Sequence, residues 1–194
     1  MIRAIIFDCF GVIITDVLQS IREDLAQTNP EGAEAIKDII AANNHGFIEP
    51  GETNERIATI LGISSGDFRR QIAQGEARND KLLTYILGLR ATYKTGMLSN
   101  IAGTSLARRF PDDELKSYFD VVVASSDIGF AKPERQAYEI VADRLNMRCD
   151  ECVFIDDREL FCEGATSVGM HAIVYTNFAQ CKYDLETLLG TYSS

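Results

Sequence analysis

Short, nearly unbroken apolar runs recur along the chain, and each gives way to polar side chains at its end. Ile2–Phe7 (IRAIIF) leads into Asp8, Gly96–Leu98 (GML) into Ser99 and Asn100, and Val121–Ala124 (VVVA) into Ser125, Ser126 and Asp127. Val153–Ile155 (VFI) leads into Asp156 and Asp157, and Ala172–Tyr175 (AIVY) is the fifth run. Runs that do not alternate with polar residues suit strands covered on both faces, the condition of a parallel sheet.

Between the runs the apolar residues take helical spacing. Asp80–Tyr93 carries Leu82, Leu83, Ile86, Leu87 and Leu89, Ser105–Phe110 stops before Pro111, Glu134–Leu145 carries Tyr138, Val141 and Leu145, and Leu160–Val168 runs up to Gly169. Strand and helix in alternation predict an α/β fold, a Rossmann-like three-layer sandwich with right-handed crossovers. About 65 residues after the first run break the rhythm. Val17–Gln27, Gly32–Ala42, Thr53–Leu61 and Ser65–Gln74 read as four helices there, the last with an N-cap offered by Ser64–Asp67. The expected organisation is therefore a core domain of residues 1–14 and 80–194, interrupted by a helical cap domain of residues 15–79.

Twenty-nine acidic residues against 19 basic ones give a formal net charge of −10, which excludes the clustered basic footprint of a nucleic-acid binder. An anionic substrate needs a local cation against that field. No stretch approaches the 18 apolar residues of a membrane span, and the opening apolar run is shorter than a signal-peptide core. Five cysteines have no framework spacing, and the Cys149–Cys152 pair lacks a second pair for zinc. The expectation is a cytoplasmic protein with reduced thiols, a monomer or weak dimer, without membrane or nucleic-acid partners.

In an open parallel sheet, ligands bind at the carboxyl ends of the strands. That edge receives Asp8, Ser99, Asn100, Lys132, Asp156 and Asp157. Clustered carboxylates beside a lysine suit a divalent cation held through oxygen. Phosphoryl transfer to a carboxylate nucleophile is one chemistry that uses all the parts.

Four segments carry a family resemblance. FDCFGVI (Phe7–Ile13), LSN (Leu98–Asn100), GFAKPERQAYEI (Gly129–Ile140) and VFIDDRELFCEGATSVGM (Val153–Met170) resemble, in order and spacing, the four motifs of the haloacid dehalogenase-like hydrolase superfamily. The helical insertion after the first motif resembles the cap of one of its subfamilies. The resemblance implies Asp8 as a nucleophile giving an aspartyl-phosphate, Ser99 and Asn100 holding the phosphoryl oxygens, and Lys132 neutralising nucleophile and phosphate. It also implies a magnesium ion on Asp8, the Phe10 main-chain carbonyl and Asp156, with Asp157 near it through water or an outer contact. The implied activity is a magnesium-dependent phosphatase acting on a small phosphorylated, sugar-phosphate-like metabolite.

Two positions depart from that pattern. Phosphatases of the family usually carry a second Asp, a general acid and base, where this chain has Phe10; Asp16 and Asp157 are the nearby carboxylates by sequence. Related sequences often carry Asn where Phe161 stands. The aromatic at position 10 is similar to the metal-free 2-haloacid dehalogenases, whereas Asp156–Asp157 is not. A degenerate binding or regulatory protein is the other alternative. His45, His171, Cys9 and Arg69–Arg70 read as structural or solvated, Phe47 and Phe68 as cap core, and Asp112–Asp113–Glu114 as the acidic start of a helix.

Overall fold

The computed structural model describes residues 1–110 and 114–190; Pro111, Asp112 and Asp113 lie outside them. Five strands, β1 (Ala4–Phe7), β2 (Lys94–Ser99), β3 (Val121–Ala124), β4 (Cys152–Asp156) and β5 (His171–Val174), form one parallel sheet in the order β3-β2-β1-β4-β5. The unbroken apolar runs follow from this placement. On β1, Ile5 and Phe7 join one buried cluster while Ala4 and Ile6 join the other. On β4, Val153 and Ile155 divide from Cys152 and Phe154 in the same way. Both faces of β1 and β4 are dry up to their carboxyl ends, so neither parity carries a polar residue along Ala4–Phe7 or residues 152–155.

The helices that cover the sheet also follow from the sequence. α5 (Asp80–Leu89) buries Leu82, Leu83 and Ile86 in the first cluster, alongside Leu106 of α6 (Gly103–Arg109) and Leu185 of α11 (Phe178–Leu189). α9 (Arg135–Arg144) and α10 (Glu159–Ser167) bury Tyr138, Val141, Phe161 and Ala165 in the second. The four-residue α8 (Ser125–Ile128) and the closing α11 have no counterpart in the sequence reading, whereas the four-residue α7 (Leu115–Tyr118) starts directly after Glu114, the described end of the acidic run expected to open a helix. β2 starts at Lys94, earlier than Gly96, because polar Thr95 is satisfied by Asp120 Oδ2 and by the Tyr118 carbonyl.

Four helices intervene between β1 and α5: α1 (Val17–Thr28), α2 (Pro30–Asn44), α3 (Pro50–Leu61) and α4 (Ser65–Gly75). α2 and α3 begin on prolines, earlier than expected, because proline at the first helical position loses no hydrogen bond. Asp16, Asn29 and Ser64 cap α1, α2 and α4 through their side-chain oxygens. These helices own a small core of Ile36, Ile57, Ala58 and Phe68, with Leu18, Ile21 and Ile40 packed around it. Phe68 is buried as expected; Phe47 is not, being 80% exposed and stacked on the His45 ring. The segments leaving and re-entering the sheet run side by side: Thr15 N donates to the Ala77 carbonyl, Asn79 N to the Ile13 carbonyl, and Ile14 bridges Arg78. No helix among the described residues is long and apolar enough to cross a membrane.

Candidate active site

The pairing of β1 with β4 sets the site. Phe7 lies opposite Ile155, and the Asp8 N–H donates to the Ile155 carbonyl at 2.9 Å, so Asp8 and Asp156 emerge side by side at the carboxyl edge. The next residue, Cys9, falls on the opposite face and is buried in the first cluster, where burial above all holds its thiol far above the usual range. It is packing, as the alternation implies.

Lys132 reaches this edge from the loop before α9. Its Nζ lies 2.7 Å from Asp8 Oδ1 and 2.6 Å from Asp156 Oδ2, with its side chain fully buried. Burial alone would pull the ammonium pKa down, but Asp156 and Asp8 hold it above the ordinary lysine value. One ammonium cannot compensate three carboxylates. Burial and then the Asp156 charge push Asp8 well above the carboxylate range, against the pull of Lys132 and the Cys9 N–H. Asp157, half-buried, is pushed up to about 6 by desolvation, with Asp156 and Asp16 adding to it.

Asp8, Asp156 and Asp157 each bring a carboxylate oxygen to within 4.8 Å of the others. Asp157 Oδ1 is buried and makes no hydrogen bond, and the buried Ser99 hydroxyl is likewise unpaired. An all-oxygen donor set with surplus negative charge and an orphaned oxygen fits a hard divalent cation.

Other expected residues take more specific places. Asn100 spends its amide on Lys132, accepting from the Lys132 N–H at 2.8 Å and donating to its carbonyl at 2.9 Å. It fixes the lysine's backbone as well as facing the cavity. Phe161 closes over the ammonium: Lys132 Nζ lies 5.0 Å from its ring centroid and 5.2 Å from that of Phe154. An aromatic face thus stands where the family resemblance leads one to expect an amide. Asp16 is committed to capping α1. His171 is exposed at the start of β5, and Arg70 pairs with Asp67 on the surface.

Above the edge, between the sheet and α1–α4, lies a cavity of about 370 Å³. Asp8, Phe10, Ser99, Asn100, Lys132 and Phe161 form its floor; Leu18, Ile40, Ile57, Phe68, Asn54 and Arg22 are among its walls. Arg109 and Glu76 had no sequence signal, being 33 positions apart and on different elements. The Arg109 guanidinium lies 5.1 Å from the Phe10 centroid and donates to Glu76 Oε1 through Nε and Nη2 at 2.8 and 2.6 Å. An aromatic, guanidinium and carboxylate stack therefore occupies the neighbourhood of position 10.

Gly11 did have a signal, as the glycine after Phe10. Its φ is +83°, and a β-carbon there would lie 2.3 Å from Asp157 Oδ2. Gly11→Ala is expected to destabilise the protein by roughly 2 kcal/mol or more, from the left-handed backbone and the displaced carboxylate together. Urea denaturation measures it, and a change under about 0.5 kcal/mol, the range of a neutral surface substitution, would show that the loop relaxes freely.

Fold and site together define a class: a doubly wound parallel α/β protein whose carboxyl edge carries a lysine-bridged acidic cluster beneath a helical insertion. Within that class the chain belongs to the haloacid dehalogenase-like hydrolases, whose family model matches residues 2–169. It is 36% identical over 78 residues to bifunctional epoxide hydrolase 2 of Mus musculus, covering 40% of this chain and 14% of that protein. Phosphatase MT3486 of Mycobacterium tuberculosis is 34% identical over 94 residues, covering 48% of this chain and 43% of the relative. Each match thus spans less than half of the relative's length. Among solved structures, the HAD family enzyme bt-2542 of Bacteroides thetaiotaomicron, in complex with magnesium and inorganic phosphate, shares the fold. Its TM-score is 0.72 at 22% identity, over 91% of this chain and 95% of that one.

Proposed function

We propose that this hydrolase is a magnesium-dependent phosphatase of a small phosphorylated metabolite, working through an Asp8 aspartyl-phosphate. The observation that carries this reading is the Lys132 ammonium bridging Asp8 and Asp156 beside the orphaned Asp157 oxygen. Asp8, Asp156, the Phe10 carbonyl and Asp157, directly or through water, would hold the ion. Bound there, magnesium supplies the positive charge that lets a phosphate dianion approach three carboxylates.

The chain's own residues do the rest. A carboxylate oxygen of Asp8 attacks phosphorus, and the bond from phosphorus to the ester oxygen breaks. Lys132 offsets charge on the nucleophile and the phosphoryl group, while Ser99 offers its unpaired hydroxyl to a phosphoryl oxygen. Water then attacks the aspartyl-phosphate and releases inorganic phosphate and free Asp8. Residues 15–79 act as the cap, excluding bulk water and choosing the leaving group. A sugar phosphate remains the default substrate class. The five free thiols suit a cytoplasmic setting.

Phe10 cannot hand the leaving oxygen a proton, and Arg109, bound to Glu76, stands over it. Aryl and acyl phosphates, whose leaving groups need no proton, are therefore expected to turn over roughly 10²-fold or more faster than alkyl phosphates. Phe10→Asp is expected to recover part of that difference. Phosphate release from a panel of aryl, acyl and sugar phosphates, with magnesium and with chelator, tests both points. Equal rates across leaving groups would overturn the account of Phe10; no release from any ester would overturn the phosphatase reading.

A further inference from the structure

His45 closes α2, and its ring reaches from the helical insertion to the core. Nδ1 lies 2.8 Å from the Ala41 carbonyl and Nε2 lies 2.8 Å from Glu134 Oε2. A carbonyl and a carboxylate both only accept, so both ring nitrogens must donate, which only the imidazolium can do. Glu134 is not a remote surface carboxylate. The same Oε2 accepts from the Ala131 N–H at 2.7 Å, and the Glu134 N–H donates back to the Ala131 carbonyl at 2.7 Å. These reciprocal bonds close a turn around Lys132 and Pro133. Asn100 clamps the Lys132 backbone from the other side. A continuous chain of contacts thus runs from the insertion through His45, Glu134 and the Ala131–Glu134 turn to the ammonium that bridges Asp8 and Asp156.

We infer that His45 is a positioning residue: by donating to Glu134 when α1–α4 sit on the core, it tightens the turn that aims Lys132 at Asp8. Docking of the insertion is thereby communicated to the catalytic ammonium, and the link is complete only while the ring is charged. Gly46 marks how closely the two parts meet, since a β-carbon there would lie 3.0 Å from the Ser126 carbonyl of α8.

The surroundings leave Glu134 as the charge acting on the ring. On the neighbouring elements, Asp127 of α8 accepts from the Ser126 hydroxyl, Arg135 pairs with Glu139 on α9, and Arg56 pairs with Glu52 on α3. Lys37 pairs with Glu34 on α2 itself, where Asp38 also lies; α1 adds Arg22, Glu23 and Asp24. The bond to Ala41 raises the His45 pKa most; desolvation pulls it back, and the Glu134 hydrogen bond and charge raise it again, leaving it above its ordinary value. The sign follows: the contact is fully made below the ordinary histidine value and is lost as pH rises through the raised one.

The role of the link in turnover rests on the phosphatase reading, but the link itself is measurable without turnover. His45 and His171 are the only two histidines, so NMR resolves the imidazole titration in the full chain. Glu134→Gln, which keeps an acceptor for Ala131, is expected to lower the His45 midpoint. In the wild type the Ala131 and Lys132 amide signals are expected to shift with the His45 midpoint, and His45→Gln is expected to abolish that shift. In turnover, with magnesium and whichever phosphate ester is hydrolysed, His45→Gln is expected to lower kcat about fivefold at low pH. KM should stay within about twofold, and the alkaline fall in kcat expected of the wild type should disappear. An unchanged midpoint in Glu134→Gln, or amides indifferent to His45, would overturn the link. An identical kcat profile in His45→Gln would overturn its positioning role. A wild type that hydrolyses no ester would refute the phosphatase reading alone, with the amide shifts still deciding the link.

Discussion

Asp8→Asn is expected to abolish turnover while leaving the protein folded at least as stably as before. On the phosphatase reading proposed above, removing the Asp8 carboxylate should lower phosphate release by roughly 10³-fold or more. The usual expectation for a buried charged residue is the opposite on stability, because breaking a buried pair strands its partner. Here the partner is not stranded. Lys132 still meets Asp156 at 2.6 Å, and the asparagine removes one of three carboxylates that share a single ammonium. Asp8 is already held above the ordinary carboxylate range by burial and by Asp156, so its charge is a burden on the fold. Thermal denaturation in chelator should place the variant within about 1 kcal/mol of wild type or above it. A loss of several kcal/mol would mean that Asp8 organises Lys132 more than it repels Asp156.

Lys132→Met makes the contrasting case. Methionine fills much of the same space against Phe154 and Phe161, so packing is largely kept. What is lost is the one cation between Asp8 and Asp156, leaving buried carboxylates uncompensated. The expected cost is about 3–5 kcal/mol, and on the proposed phosphatase reading activity falls by roughly 10³-fold because charge on Asp8 and the phosphoryl group is no longer offset. Magnesium should restore part of the lost stability, since an ion that binds only the folded state stabilises by mass action. Denaturation with magnesium and with chelator measures both effects. A variant as stable as wild type in chelator would mean that the carboxylates are neutral without their lysine.

The two substitutions touch opposite ends of the same 2.7 Å contact, yet one should be silent in stability and the other costly. Only a count of charges around the contact distinguishes them. That count was partly visible in the amino-acid sequence. Strand-terminal Asp8, Asp156 and Asp157 could be placed at one edge because a parallel sheet of dry strands leaves its polar residues at the carboxyl ends. The face each residue takes followed from alternation, which sends Cys9 into the core.

What could not be read was anything set by contact between elements distant in sequence. Nothing local in Arg109 or Glu76 says that they meet over Phe10, and nothing in His45 says that its ring finds Glu134. Phe47 misled for the same reason: an aromatic side chain declares a preference for burial, but only the packing decides which aromatic is covered, and here it is Phe68. Proline misled differently. The helix starts expected at Gly32 and Thr53 fall inside α2 and α3, whose first residues are Pro30 and Pro50.

The paired segments Ile13–Thr15 and Ala77–Asn79 carry a consequence for how such a protein changes over time. Because hydrogen bonds pin the two crossings together, and Asn79 further donates to the Val12 carbonyl and the Tyr175 hydroxyl, the sheet meets the insertion as a closed loop of almost any size. Doubling the length of a loop whose ends are already joined costs only about 0.6 kcal/mol in closure entropy. Selection can therefore lengthen, shorten or replace the helices over the cavity at little closure cost, and a change that keeps the contact of His45 with Glu134 keeps the turn that carries Lys132.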